Sequence, residues 1–144
     1  MKVFTIGFAK KTAKQFFGLL QGSGAKRLVD VRLNNSSQLA GFTKRDDLQY
    51  FLKAICGMEY VHLPELAPTQ EMLEAYKTKQ VDWAEYERDF TSLLTGRKVE
   101  ESVAREVLED AVLLCSEPKP EKCHRRLVGE HFQRAWGNVE IIHL

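Results

Sequence analysis

Cys115, Glu117, Cys123, His124 and Arg125 bring two thiols, a carboxylate, an imidazole and a guanidinium into one short stretch of the chain. The residues before it, Ala111-Val112-Leu113-Leu114, form the brief apolar run of a strand buried on both faces. Pro118 and Pro120 break that run, and an amphipathic pattern then opens a helix. Open α/β sheets place their sites where a strand gives way to a helix. A thiol at a helix amino terminus, beside an imidazole and a guanidinium, holds more thiolate at neutral pH. Cys123 is therefore the expected reactive thiol. Cys115, at the mouth of the strand, reads first as a small packed hydrophobe, with a catalytic role as its alternative.

A second pair of chemical groups lies in Leu28-Val29-Asp30-Val31-Arg32. Asp30 and Arg32 sit two residues apart, on one side of a strand near its carboxyl end. An aspartate in an apolar strand costs several kcal/mol unless it is paired. The pair either fixes a loop or orients Arg32 and His124 toward a ligand.

Four chemistries suit these residues. Anion binding needs only a helix terminus with Arg32, His124 and Arg125. A cysteine nucleophile needs a thiolate, a base and a cradle for developing charge; Cys123 or Cys115, His124 and Glu117 would share those roles. Zinc could use Cys115, Cys123 and His124 with Glu117 or Asp30, but the Cys-x-x-Cys spacing of closed structural sites is absent, so no metal is assigned. In the fourth reading, Glu117 and Arg125 latch a loop and function is exerted through a partner. The strand–Cys–loop–helix order also resembles rhodanese-like and cysteine-phosphatase domains. The phosphate-wrapping Cys-x5-Arg loop is missing, however: position 121 is Glu and position 129 is Gly.

The elements that must position these groups can be read from periodicity. Strands are expected at Val3–Ile6, Arg27–Arg32, Glu59–Leu63, 111–115 and Val139–His143. Thr12-Ala13-Lys14-Gln15 has the form of a capping box, followed by a stripe of Phe16, Phe17, Leu19 and Leu20 with Gly22 and Gly24 as stops. The polar stretch Asn34-Asn35-Ser36-Ser37-Gln38 precedes a helix capped by Thr43. Its buried face is Leu48, Phe51, Leu52 and Ile55, Gly57 ends it, and Cys56 reads as core. Thr69 to Leu94 reads as helix in two pieces, with a fresh start at Asp82 and a stop at Gly96. Val99, Val103 and Val107 form another stripe. Leu127, Val128, His131, Phe132, Ala135 and Trp136 line the last helix, where His131 needs one hydrogen-bond partner; His62 and His143 read as packing or surface residues.

Alternating strands and helices predict one α/β domain over residues 1–144, a three-layer α/β/α architecture with a mostly parallel sheet of about five strands. In such a sheet the segments after the strands meet along one edge. They carry Lys10, Lys11, Lys14, Arg32, Lys44, Arg45, Lys119, Lys122, Arg125 and Arg126, close to half of the chain's 21 basic residues. A phosphate-bearing ligand, a nucleotide or a nucleic-acid end, is the expected partner of that edge.

Bulk properties narrow the classes. The chain has 144 residues, 44% hydrophobic and 28% charged, the composition of a globular domain with a real core. No apolar run approaches the roughly 20 residues of a membrane helix, so no membrane partner is expected. Three cysteines at irregular spacing argue for a reducing, cytoplasmic setting. A net charge of +1 carries no global nucleic-acid signature. Cofactor and oligomeric state leave no mark in the sequence.

Thr5-Ile6-Gly7, Leu28-Val29-Asp30-Val31-Arg32, Tyr60-Val61-His62-Leu63-Pro64-Glu65-Leu66-Ala67-Pro68-Thr69, Asp82-Trp83-Ala84-Glu85-Tyr86 and the paired Cys115-x-Glu117 and Cys123-His124-Arg125 elements together resemble the Domain of Unknown Function 488 family. The likeness runs over nearly the whole chain. It implies a compact bacterial or archaeal cytosolic domain with its motif residues in one cleft, and it carries no function with it.

Overall fold

The computed structural model describes residues 1–36, 41–117 and 119–144. Its strands are β1 (Lys2–Gly7), β2 (Arg27–Asp30), β3 (Glu59–His62), β4 (Ala111–Cys115) and β5 (Glu140–His143). They form one parallel sheet in the order β3-β2-β4-β1-β5. The helices, in chain order, are α1 (Ala13–Ser23), α2 (Arg45–Phe51), α3 (Gln70–Lys77), α4 (Trp83–Arg97), α5 (Val99–Ser102), α6 (Arg105–Leu108) and α7 (His124–Trp136).

Alternation along the strands divides the core into two layers. Phe4, Ile6, Leu28, Val112 and Leu114 pack beneath α1 and α2. Val3, Val29, Val31, Leu113 and Cys115 pack on the opposite face, beneath α4 and α7. Period-two alternation of buried residues on a sheet covered on both sides accounts for this division.

The strand order creates the crevice. From β1 the chain crosses past β4 to reach β2, whereas from β4 it crosses past β1 to reach β5. The two connections leave adjacent strands in opposite directions, which opens a gap at their carboxyl ends. Two backbone bonds then continue the pairing beyond the sheet: Phe8 N–H donates to the Cys115 carbonyl (3.3 Å) and Ala9 N–H to that of Ser116 (2.9 Å).

Gly7 makes this close approach possible. A Cβ built there would lie 1.6 Å from the Glu117 carbonyl oxygen and 2.9 Å from Arg125 Nη1. The nearest obstacle is backbone, so the loop itself would have to move. Gly7→Ala is expected to lower stability in urea by about 3 kcal/mol; an unchanged midpoint would show that the loop is not held against β1.

Several local expectations need correction. Leu19, Ile55 and Ala135 are exposed rather than buried. The second helix starts at Arg45 after a 3-10 turn over Gly41–Thr43, with Lys44 rather than Thr43 as its N-cap, and it runs into a π-turn over Leu52–Cys56. That turn leaves Cys56 only partly buried. The fourth helix passes Gly96 and stops at Lys98, whose left-handed φ of 52° ends it. The valine stripe is not one helix: Val103 and Ala104 are extended, so α5 and α6 are single turns that bury Val99 and Leu108 separately. Strand β2 ends at Asp30, two residues short of the expected end. The Thr12–Gln15 capping box and the Asp82 cap form as expected. Ser37, Gln38 and Pro118 lie outside the described residues. Among the described residues no helix is long and apolar enough to cross a membrane.

Candidate functional site

Strand β4 delivers Cys115 to the face that α7 covers, and Cys123 is the N-cap of α7, so His124 is its first helical residue. His124 Nε2 lies 2.7 Å from the Val31 carbonyl oxygen. A carbonyl can only accept, so Nε2 carries the proton and, in the neutral ring, Nδ1 carries the lone pair. That bare nitrogen sits 3.2 Å from Cys115 Sγ. The ring is held edge-to-face against Phe90 with centroids 5.5 Å apart. Cys115 Sγ is also 3.5 Å from Nε2, so the sulfur rests over the face of the ring, and a thiol lies in contact with a base whose tautomer is fixed.

The electrostatics set the two cysteines apart. Burial alone would push the Cys115 thiol up. Hydrogen bonds from the Cys123 thiol and the Ser116 N–H, with the positive charge of Arg125, outweigh that and hold it below the ordinary value. Cys123 is pushed up by the bond to Cys115 in which its own proton is spent, and then by burial. Burial also lowers His124, which keeps the imidazole neutral and able to accept a proton near pH 7. Of the two thiols, Cys115 is thus the one held low and Cys123 the one held high, the reverse of the order expected from helix position alone. A helix terminus beside an imidazole does not lower a thiol that is already donating to a neighbouring sulfur.

Arg125 is turned inward, away from solvent. It is fully buried, with Nη1 donating to the Glu117 carbonyl (2.6 Å) and Nε to Thr5 Oγ1 (3.4 Å). Its Nη2 is the one buried side-chain nitrogen or oxygen without a partner among the described residues. A guanidinium with no carboxylate beside it, held out of water, favours negative charge nearby, and it acts in that sense on Cys115.

Asp30 and Arg32 form a buried bidentate pair, with Nε to Oδ1 and Nη2 to Oδ2 both at 2.8 Å. Tyr60 donates its hydroxyl to Asp30 Oδ2 (2.7 Å), and Arg32 also donates to the Thr43 carbonyl (2.8 Å). Val31, between the two, is the residue whose carbonyl holds His124. The motif thus supports the imidazole through backbone while its own charges compensate one another. His62 donates to the Arg32 carbonyl (2.8 Å), and His131 meets Glu100 (2.8 Å), the partner it required.

Arg32, Cys115, Glu117, Cys123 and His124 line one cavity of about 420 Å3. Asp30 and Arg125 lie behind its wall. The wall also contains Tyr76, Trp83 and Tyr86; in the sequence Trp83 and Tyr86 stand out only as part of the family resemblance and with no site role, and their signal is the aromatic spacing of Trp83, Tyr86 and Phe90 along one face of α4. The sulfur atoms of Cys115 and Cys123 and a ring nitrogen of His124 lie within 4.8 Å of one another, so a metal ion could take these three donors and leave a fourth position toward the cavity.

The cationic edge is less concentrated than the sequence suggests. Arg126 is bound to Glu87 and Glu130, Arg45 pairs with Asp46, and Lys10, Lys11 and Lys14 line a separate groove along α1. At the cavity, Arg32 and Lys122 remain, joined by Lys77 from α3.

The family model described as Domain of unknown function DUF488 matches residues 12–132. No curated protein and no solved structure matches the chain.

Proposed function

The chain belongs to the family described as Domain of unknown function DUF488, and from the chemistry of its cleft we propose that it is a thiol-dependent hydrolase or transferase acting on an anionic, phosphate-bearing substrate. The observation that carries this reading is Cys115 Sγ packed against the His124 ring, 3.2 Å from Nδ1 and 3.5 Å from Nε2, with that ring fixed by the Val31 carbonyl. Cys115 attacks the electrophilic atom and its proton passes to Nδ1. The imidazolium so formed keeps its Nε2–H on Val31. As the bond to the leaving group breaks, Nδ1 returns the proton to that group. Water or an acceptor then attacks the covalent intermediate with His124 again as base, which frees the thiol. Lys77 and Lys122 line the cavity without carboxylate partners among the described residues and favour an anionic substrate. Arg32 adds little net charge there, because Asp30 compensates it.

Limited alkylation with iodoacetamide at neutral pH, followed by peptide mass mapping, tests the proposal. Cys115 should be modified first, ahead of Cys56, although Cys56 is the more exposed thiol. Burial pushes Cys56 up and no charge lowers it. Modification of Cys56 with Cys115 left intact would overturn the assignment.

A further inference from the structure

One part of the cavity wall belongs to an ordered aromatic stack. Trp83 and Tyr86 lie 5.2 Å apart at 27°, Tyr86 and Phe90 lie 6.3 Å apart at 16°, and Phe90 meets His124 edge-on. Tyr76 braces it, 5.6 Å from Trp83 and 5.1 Å from Tyr86. Asp82 caps α4 by accepting from Glu85 N–H at 2.8 Å, which fixes Trp83 at the helix's first residue. Tyr86 and Phe90 are buried, but Trp83 and Tyr76 are only half-buried, and both line the cavity. The series of near-parallel rings that begins beside the His124 ring therefore ends at an indole bordering open space. A further flat ring laid on that indole would extend it.

Beside this wall lie Lys77, in the last turn of α3, and Lys122, just ahead of α7, both exposed. A volume of about 420 Å3 falls within the roughly 300–1,000 Å3 of small-molecule sites. We infer that the substrate carries a flat heteroaromatic ring beside its anionic group, as a mononucleotide does, and that the ring stacks on Trp83. This deepens the thiol-enzyme reading and rests on it for the location of the chemistry, although binding itself does not require the thiol.

Calorimetric titration of the native chain and of Cys115→Ser with AMP, UMP, adenosine and inorganic phosphate tests the inference. Both proteins should bind at least one mononucleotide saturably, and adenosine and phosphate should each bind it more weakly. Trp83→Ala should weaken mononucleotide binding by about tenfold or more, the usual weight of one base–aromatic stack. Quenching of indole fluorescence in Trp136→Phe, where Trp83 is the remaining tryptophan of the chain's two, should saturate in parallel. Absence of saturable binding by either mononucleotide overturns the inference, as does binding that Trp83→Ala leaves unchanged. Phosphate binding as tightly as AMP would show that no ring is recognised. Because Cys115→Ser is titrated alongside and alkylation is read separately, loss of nucleotide binding with a reactive Cys115 sinks the inference alone. An inert Cys115 with intact nucleotide binding sinks the enzyme reading alone.

Discussion

Asp30→Ala is expected to lower stability by about 3–5 kcal/mol, the usual consequence of removing one member of a buried ion pair. Asp30 is wholly buried, and its two oxygens accept from Arg32 Nε, Arg32 Nη2, the Arg32 backbone N–H and the Tyr60 hydroxyl. Truncation leaves the Arg32 guanidinium out of water with only the Thr43 carbonyl among those groups still accepting from it. It also removes the acceptor of the Tyr60 hydroxyl, which burial and its bond to Asp30 keep un-ionised, and leaves that oxygen only the Asn35 Nδ2 donor. The penalty comes from stranded charge, so removing both members should cost much less: Asp30→Leu with Arg32→Met should recover most of the loss. Urea denaturation of the two single variants and the double variant measures the coupling. Additive losses would show that the pair does not interact as its geometry requires, and would return Arg32 to the role of a ligand-binding cation.

What could be read from the sequence was largely what is local. The Thr12–Gln15 box needs only four residues to form. A five-residue apolar run has few ways to be buried other than as the central strand β4. Gathering of Cys115, Cys123 and His124 followed from strand–loop–helix order, because parallel strands bring their carboxyl ends to one edge. What could not be read depended on direction. Arg125 is charged and near a helix start, features shared by solvated residues and ligand-binding ones; the latch reading paired it with Glu117, but nothing nearby in sequence signals that it meets the Glu117 backbone carbonyl or that Thr5 joins in drawing it inward. The Trp83 stack resembled ordinary helix packing until its outer end was seen to border the cavity. The Val31 carbonyl, which fixes the His124 tautomer, is a backbone atom, and no side-chain motif can announce it.

His124→Gln should slow alkylation of Cys115 at neutral pH by about a hundredfold, the lower range for loss of a positioned general base. A glutamine amide can still donate toward Val31, which preserves a polar contact for that carbonyl, but it has no nitrogen able to take the thiol proton. The effect should disappear as the pH is raised, because the thiol then ionises without help. A variant that was merely misfolded would show no such convergence. Cys123→Ser should be much milder, because a serine hydroxyl can still donate to Cys115 in place of the thiol.

The most direct measurement is the full pH profile of the Cys115 alkylation rate in the native chain. Donors from Cys123 and Ser116 and the buried Arg125 charge hold the Cys115 thiol down against the effect of burial, so the thiolate should already be present where an ordinary thiol is still protonated. The rate should rise and level off below the free-thiol value of about 8.5. A native-chain rate that keeps climbing through and beyond that value would mean that burial prevails, and that Cys115 is a packed residue with no chemistry to perform.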